Sequence, residues 1–200
     1  MSQYLEQRAG ALIRGRRVLE LGAGGGLPSL VCALRGASEV VVTDYPDPEL
    51  ISNLAHNISL LPADSSSPSS SSSSSPISAF GYLWGRQPDE FAPPFDTVVL
   101  SDLLFNHSEH ARLVDSVRIF MRRTPDARAL VFFTPHRPWL YEKDLMFFDV
   151  ARERGFVVRK VLEEVAEVPM FEEDPGVRLS PFRFRRGRAD EEERELMRGE

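Results

Sequence analysis

The run Val18-Leu19-Glu20-Leu21-Gly22-Ala23-Gly24-Gly25-Gly26-Leu27-Pro28, answered by Val40-Val41-Val42-Thr43-Asp44, constrains the fold more than any other part of the chain. An apolar stretch with no polar alternation except Glu20 reads as a strand buried on both faces, and the glycines that follow it lead into a second apolar stretch of helical length. The pattern is strand, glycine loop, helix, strand, acid. It outlines a site for an adenosine-type cofactor: glycines let a ligand approach the backbone, a helix N-terminus faces it, and a carboxylate accepts hydrogen bonds from two ribose hydroxyls.

The rest of the chain continues this alternation. The spacing predicts a helix over 3–13, a strand over 17–21, a helix over 28–34 that Gly36 can end, and a helix from the Asp47-Pro48 start to about 60. Further strands are expected over 77–84, 95–101, 129–134 and 156–162, with helices over 109–121 and 139–153. A last strand, 182–186, is placed to return beside its predecessor. The fold class is therefore α/β, a Rossmann-like, mostly parallel sheet with helices on both faces and an antiparallel last strand.

With 200 residues, 42% hydrophobic and 27% charged, the chain fits one domain, set here at 1–188. Between Ser65 and Ser75 stand ten serines and one proline, a composition that cannot bury apolar area; 64–76 is expected to be a disordered insertion and 189–200 an acidic tail. The formal charge of -6 argues against nucleic acid and suits a basic protein partner. Cys32 is the single cysteine, which leaves no disulfide framework or cysteine metal site within the chain and suggests a reducing compartment. Met1 to Glu6 show no basic region followed by an apolar stretch, and no segment approaches ~18 apolar residues, so neither export nor membrane spanning is expected. A cytoplasmic monomer with no metal and no membrane contact is the expectation.

The glycine spacing separates two cofactors. Dinucleotide fingerprints read Gly-x-Gly-x-x-Gly, whereas here the position three after Gly24 is Leu27, a side chain expected to fill the space that the third glycine keeps empty. S-adenosylmethionine has no pyrophosphate, so Glu20 beside the loop is tolerated; it can orient loop amides or the ligand's ammonium, or only anchor the loop. Trp84 could stack on adenine or belong to the core. Asp102, directly after Val98-Val99-Leu100-Ser101, is the candidate carboxylate at the reaction centre, with an N-cap as its alternative; Ser108 is the more natural cap. Phe105, Asn106 and His107 share its loop and could shape an acceptor pocket, although no partner for His107 is visible.

Taken together, Leu19-Glu20-Leu21-Gly22-Ala23-Gly24, Val42-Thr43-Asp44-Tyr45-Pro46-Asp47, Leu83-Trp84-Gly85, Leu100-Ser101-Asp102-Leu103-Leu104-Phe105-Asn106-His107 and Phe132-Phe133-Thr134-Pro135-His136 resemble the fungal protein N-terminal and lysine N-methyltransferases acting on translation elongation factor 1-alpha. These belong to the nicotinamide-N-methyltransferase-like, seven-stranded methyltransferases. The resemblance, over about residues 3–186, implies that Gly22, Ala23 and Gly24 line the methionine and ribose of S-adenosylmethionine, Asp44 holds the ribose hydroxyls, Trp84 borders adenine and Ser101 closes the pocket. It implies an Asp-x-x-Phe acceptor motif in Asp102-Leu103-Leu104-Phe105, with His107 beside it, and an elongation-factor substrate. Residues 1–16 form a shorter lead than the family carries, where an aromatic residue reaches the cofactor. The alternatives are a small-molecule N-methyltransferase with a nicotinamide-like acceptor, and a shortened relative serving as an interaction module.

Overall fold

The structure, a computed structural model, describes residues 1–62 and 76–161, with the backbone of 164–165 and 178–186. The serine-rich stretch 63–75 and the acidic tail lie outside the described residues. In chain order the strands are β1 (Arg17–Leu21), β2 (Glu39–Asp44), β3 (Ile77–Gly81), β4 (Thr97–Ser101), β5 (Arg128–Phe133), β6 (Phe156–Lys160), β7 (Glu164–Val165) and β8 (Arg178–Arg186). The helices are α1 (Ser2–Gln7), α2 (Ala9–Leu12), α3 (Leu27–Leu34), α4 (Pro48–Ser59), α5 (His110–Phe120) and α6 (Tyr141–Glu153).

The sheet runs β3-β2-β1-β4-β5-β8-β6, with the short β7 paired to β8 off this path. β1 is parallel to β2 and to β4, and β4 to β5, whereas β8 is antiparallel to both β5 and β6. The antiparallel last strand lies beside its predecessor as expected, but it is longer than 182–186 and is inserted between β5 and β6. Strand order reverses at β1 and β4, so the crevice beyond their carboxyl ends is the natural ligand site of such a sheet.

Alternate strand residues feed two cores, as a period of two requires. Leu19, Leu21, Val98, Leu100, Val131 and Phe133 pack with Val114, Phe120, Phe147 and Phe148 on the α5–α6 side. Val18, Val40, Val42, Val99 and Leu130 pack with Leu5, Ile13, Cys32 and Leu54 on the side of α1 to α4. Each fully buried large aliphatic or aromatic side chain contributes roughly 1.5–3 kcal/mol, so two continuous layers hold the strand ends rigidly in register.

Several boundaries differ from the sequence reading. The expected first helix is two short ones, broken at Arg8 with φ -115°. β3 ends at Gly81, three residues before the expected 84, and the Tyr82 amide makes the last rung to β2 on the Asp44 carbonyl at 2.7 Å. Phe95 makes only an isolated bridge to Met121 before β4 begins. Ser108 caps nothing: α5 has Glu109 as its N-cap with no side-chain bond, and Ser108 Oγ donates instead to Asn106 Oδ1 at 3.1 Å. The Asp47-Pro48 start does behave as read, with Asp47 accepting from the amides of Glu49 (2.8 Å) and Leu50 (3.3 Å). Among the described residues no helix is long and apolar enough to cross a membrane.

Candidate active site

The glycine loop leaves β1 through residues whose backbone excludes side chains. Gly22 has φ 61°, and a Cβ there would stand 2.7 Å from Leu103 Cδ2 and 3.0 Å from Trp84 Cζ2. Gly26, φ 74°, caps α3 in the left-handed conformation, and a Cβ there would meet Leu54 Cδ2 of α4 at 2.9 Å. Close packing of the loop on the layer beneath therefore falls to Gly26. This corrects the part assigned to Leu27, whose side chain is 61% exposed and fills no space under the loop. Positions 24 and 25 face open space, with nothing within 4 Å of where their Cβ atoms would be.

Asp44, at the carboxyl end of β2, closes the loop from the side. Its Oδ2 accepts from the Gly24 amide and its Oδ1 from the Tyr45 amide, both at 2.6 Å. A carboxylate oxygen has two lone pairs, so each keeps one for a ligand hydroxyl. The loop is also held by the Ala23 amide on the Thr43 carbonyl (3.0 Å) and by Asn57 Nδ2 of α4, which donates to the Gly25 carbonyl at 2.9 Å.

Glu20 lies beneath, fully buried. Its Oε2 accepts from the Ser29 amide at 3.0 Å and from Ser29 Oγ at 2.5 Å, so a strand carboxylate satisfies a first-turn donor of α3 that no cap side chain serves. Oε1 has no hydrogen-bond partner among the described residues. Of the roles read from the sequence, the Ser29 bonds display the anchor. Burial pushes its carboxyl up to about 7, against the Ser29 hydrogen bonds and with help from Asp44. The neighbouring Cys32 thiol, also fully buried on α3, is pushed up to about 12 by burial and by Glu20.

Trp84 is half-buried and rests against Gly22. The turn that carries it is pinned to α5: the Gly85 amide donates to Ser116 Oγ (2.8 Å), Ser116 Oγ to the Arg112 carbonyl (2.9 Å), and Tyr82 Oη to the Arg86 carbonyl (2.8 Å). Ser101 and Asp102 follow at the carboxyl end of β4, half-buried, with buried Leu103 touching the place of Gly22. The cofactor-side and acceptor-side candidates therefore meet at one sheet edge.

Asp102 is the one non-glycine residue with positive φ, 60°, among the described residues. Its carboxylate caps no helix and is engaged within the protein: Oδ1 accepts from the Thr134 amide at 3.0 Å, and Oδ2 lies 2.8 Å from His136 Nε2. His107 also has a partner that the sequence did not reveal, Asp144 of α6, with Nε2 2.7 Å from Oδ1. His110 packs edge-on to His107 at 5.5 Å, and its Nε2 meets the Leu104 carbonyl at 2.8 Å. Burial lowers the His110 pKa, which keeps that ring neutral as a donor. Phe105 is 56% exposed and Trp139 77%, and Arg137 Nη2 donates to the Phe105 carbonyl at 3.1 Å, which ties the loop after β4 to the segment before α6. On the opposite side Tyr4 of α1 lies edge-on to Phe132 at 5.1 Å, bringing an aromatic ring from the N-terminal lead to the end of β5.

Open space above Gly24 and Gly25, an indole on Gly22, and a carboxylate with spare lone pairs fit an adenosyl group. The carboxylates at the ends of β2 and β4 make the same edge favourable for cations such as a sulfonium or an ammonium.

Residues 1–154 match a family described as lysine methyltransferase. The chain is 46% identical over 184 residues to a protein N-terminal and lysine N-methyltransferase of Schizosaccharomyces pombe, covering 88% of this chain and 68% of that one. It is 45% identical over 189 residues to the protein of the same description from Neurospora crassa, covering 88% and 64%. The chain thus spans about two thirds of the length of these relatives. Among solved structures, a methyltransferase from Pyrococcus furiosus superposes with a TM-score of 0.61 at 15% identity, over 92% of this chain and 81% of that one, which shows a shared fold.

Proposed function

The chain belongs to the lysine methyltransferase family of S-adenosylmethionine-dependent enzymes, and from that premise we propose that it methylates a protein amine, the N-terminal α-amine or a nearby lysine of translation elongation factor 1-alpha. The observation that carries this reading is the meeting of Asp44 at Gly24 with Trp84 and Leu103 of the Asp102–His107 loop at Gly22. When bound, the cofactor supplies a sulfonium methyl for in-line transfer to a neutral amine.

The residues of the chain divide the remaining work. Gly22, Ala23 and Gly24 line the methionine and ribose side, Asp44 accepts from the ribose hydroxyls, Trp84 flanks the adenine and Ser101 closes the floor. Glu20 contributes through α3, holding the loop still. Asp102 favours a cationic acceptor at the end of β4, Phe105 confines it, and His107, fixed by Asp144, shapes the pocket. Positioning and exclusion of water are the main contributions to such a transfer. A free α-amine, with a reference pKa near ~8, is ready to attack at pH 7 more often than a lysine near ~10.4, so the lysine acceptor leans harder on the site for loss of its proton. A formal charge of -6 suits a basic protein acceptor over nucleic acid, and a cytoplasmic monomer is the form in which this reading places it.

Incubation with labelled S-adenosylmethionine and a cell extract, followed by identification of the labelled polypeptide, tests the reading. Label on elongation factor 1-alpha is the expected result. Label confined to small metabolites would replace the protein acceptor with a nicotinamide-like one, and label on neither would remove the enzymatic role.

A further inference from the structure

We propose that His136 is the proton acceptor for the substrate amine, held in that role by Asp102; this rests on the N-methyl-transfer reading above. His136 Nε2 lies 2.8 Å from Asp102 Oδ2. An ionised carboxylate only accepts hydrogen bonds, so the proton of this contact belongs to Nε2, and a neutral imidazole then presents an unprotonated Nδ1.

The pair is clamped from both sides. The Thr134 amide donates to Asp102 Oδ1 at 3.0 Å, the Asp102 amide to the Phe132 carbonyl at 2.7 Å, and the His136 amide to the Thr134 carbonyl at 2.8 Å. Asp102 has a left-handed φ of 60°, a conformation uncommon outside glycine, more accessible to aspartate than to most residues, and one that clusters at functional sites. The residue after Asp102, Leu103, touches the place of Gly22, so the Asp102 end of the pair adjoins the cofactor loop while its carboxylate reaches across to the segment after β5. The charged groups of the adjoining loops are Asp102 itself, Arg137, whose Nη2 is turned to the Phe105 carbonyl, and the His107–Asp144 pair.

His107 is less suited to the task. Its partner stands in the helix layer on α6, and its ring packs against His110. The His136 side chain is 37% exposed, which gives a proton a way out to water. In the step itself an ammonium N–H bond breaks, its electron pair stays on the amine nitrogen, and a new N–H bond forms at Nδ1. The resulting imidazolium faces the Asp102 carboxylate and later releases its proton to solvent.

The test compares the wild-type chain with His136→Ala on two peptides, one offering only an α-amine and one, N-acetylated, offering only a lysine, between pH 6.5 and 10. General-base catalysis is worth about a hundredfold or more, so turnover of the lysine peptide at pH 7 is expected to fall by about that factor. The deficit should close for the α-amine peptide by about pH 9 and persist there for the lysine peptide, as reference values near ~8 and ~10.4 require. Nitrogen-15 NMR of the imidazole, recorded without cofactor or acceptor, should show the neutral ring protonated at Nε2 in the wild type and lose that preference in Asp102→Asn. An undiminished His136→Ala, an equal deficit on both peptides at every pH, or a proton on Nδ1 overturns the proposal. Absence of transfer by the wild type to either peptide overturns the N-methyl-transfer reading itself.

Discussion

The two halves of the site are built by different means. The cofactor half, around β1 and β2, is held by a carboxylate on backbone amides and by a sealed carboxylate beneath, with partners close in sequence: Asp44 with Gly24, Glu20 with Ser29. The acceptor half, around β4 and β5, is held by side-chain pairs that join distant segments, Asp102 with His136 and His107 with Asp144. In the first half the key group is fully buried; in the second the Asp102 carboxylate is 46% exposed. On the proposed reading, the pocket for the small cofactor is cast in backbone, and the one that admits part of another protein is fixed by side-chain pairs.

Four substitutions press on that contrast, beginning with the largest expected effect. Glu20 has its carboxyl raised to about 7, so its ionisation opposes folding: the folded state holds the proton more tightly, stability is fullest below about pH 4.5 and declines as pH rises through about 7, by about 3 kcal/mol. Glu20→Gln should remove that decline, and urea unfolding at pH 5 and pH 8 should show the wild-type-minus-variant difference changing by about 2.5 kcal/mol. A constant difference would mean that the carboxylate is solvated and the cofactor half less sealed than described.

Ser29→Ala comes next. Deleting the Oγ that donates to a buried carboxylate should lower stability by about 2 kcal/mol and weaken cofactor binding measured by calorimetry, because α3 loses part of its seat. Asp144→Ala should lower stability by about 1 kcal/mol and raise the KM for an acceptor peptide, with cofactor calorimetry unchanged. Were cofactor affinity to fall as far as in Ser29→Ala, the two halves would be one mechanical unit. The smallest effect belongs to Trp139→Ala: stability should stay within about 0.5 kcal/mol at so exposed a position, and only the acceptor KM should rise.

The same contrast explains what the sequence made legible. Buried strands are continuous apolar runs, and the loop and acid of the cofactor half follow one another at short spacing, so β1, β2, the Asp47 cap and the antiparallel return of β8 could be read directly. Leu27 misled because a one-residue shift along a loop decides whether a side chain points in or out, and the close contact falls at Gly26. Ser108 misled because a serine before a helix is a cap only if the chain enters at the right angle, and here a short 3-10 turn intervenes. The acceptor half was located but not understood: nothing local in Asp102 announces His136, and nothing in His107 announces Asp144. Such pairs exist only once β4, β5 and α6 have assembled. The Ser116 brace behind Trp84 is equally invisible before α5 packs.

Cys32 gives the cofactor half a use of its own. It is the single thiol of these 200 residues, it has no exposed surface, and its proton is held to about pH 12, so in the native fold it is inert to alkylation and oxidation, which require an accessible thiolate. It becomes reactive only when α3 lifts from β1. The rate at which a thiol reagent modifies the chain is therefore a gauge, already installed, of how often the seat of the glycine loop opens, and cofactor that grips that loop should slow the labelling in proportion to its occupancy.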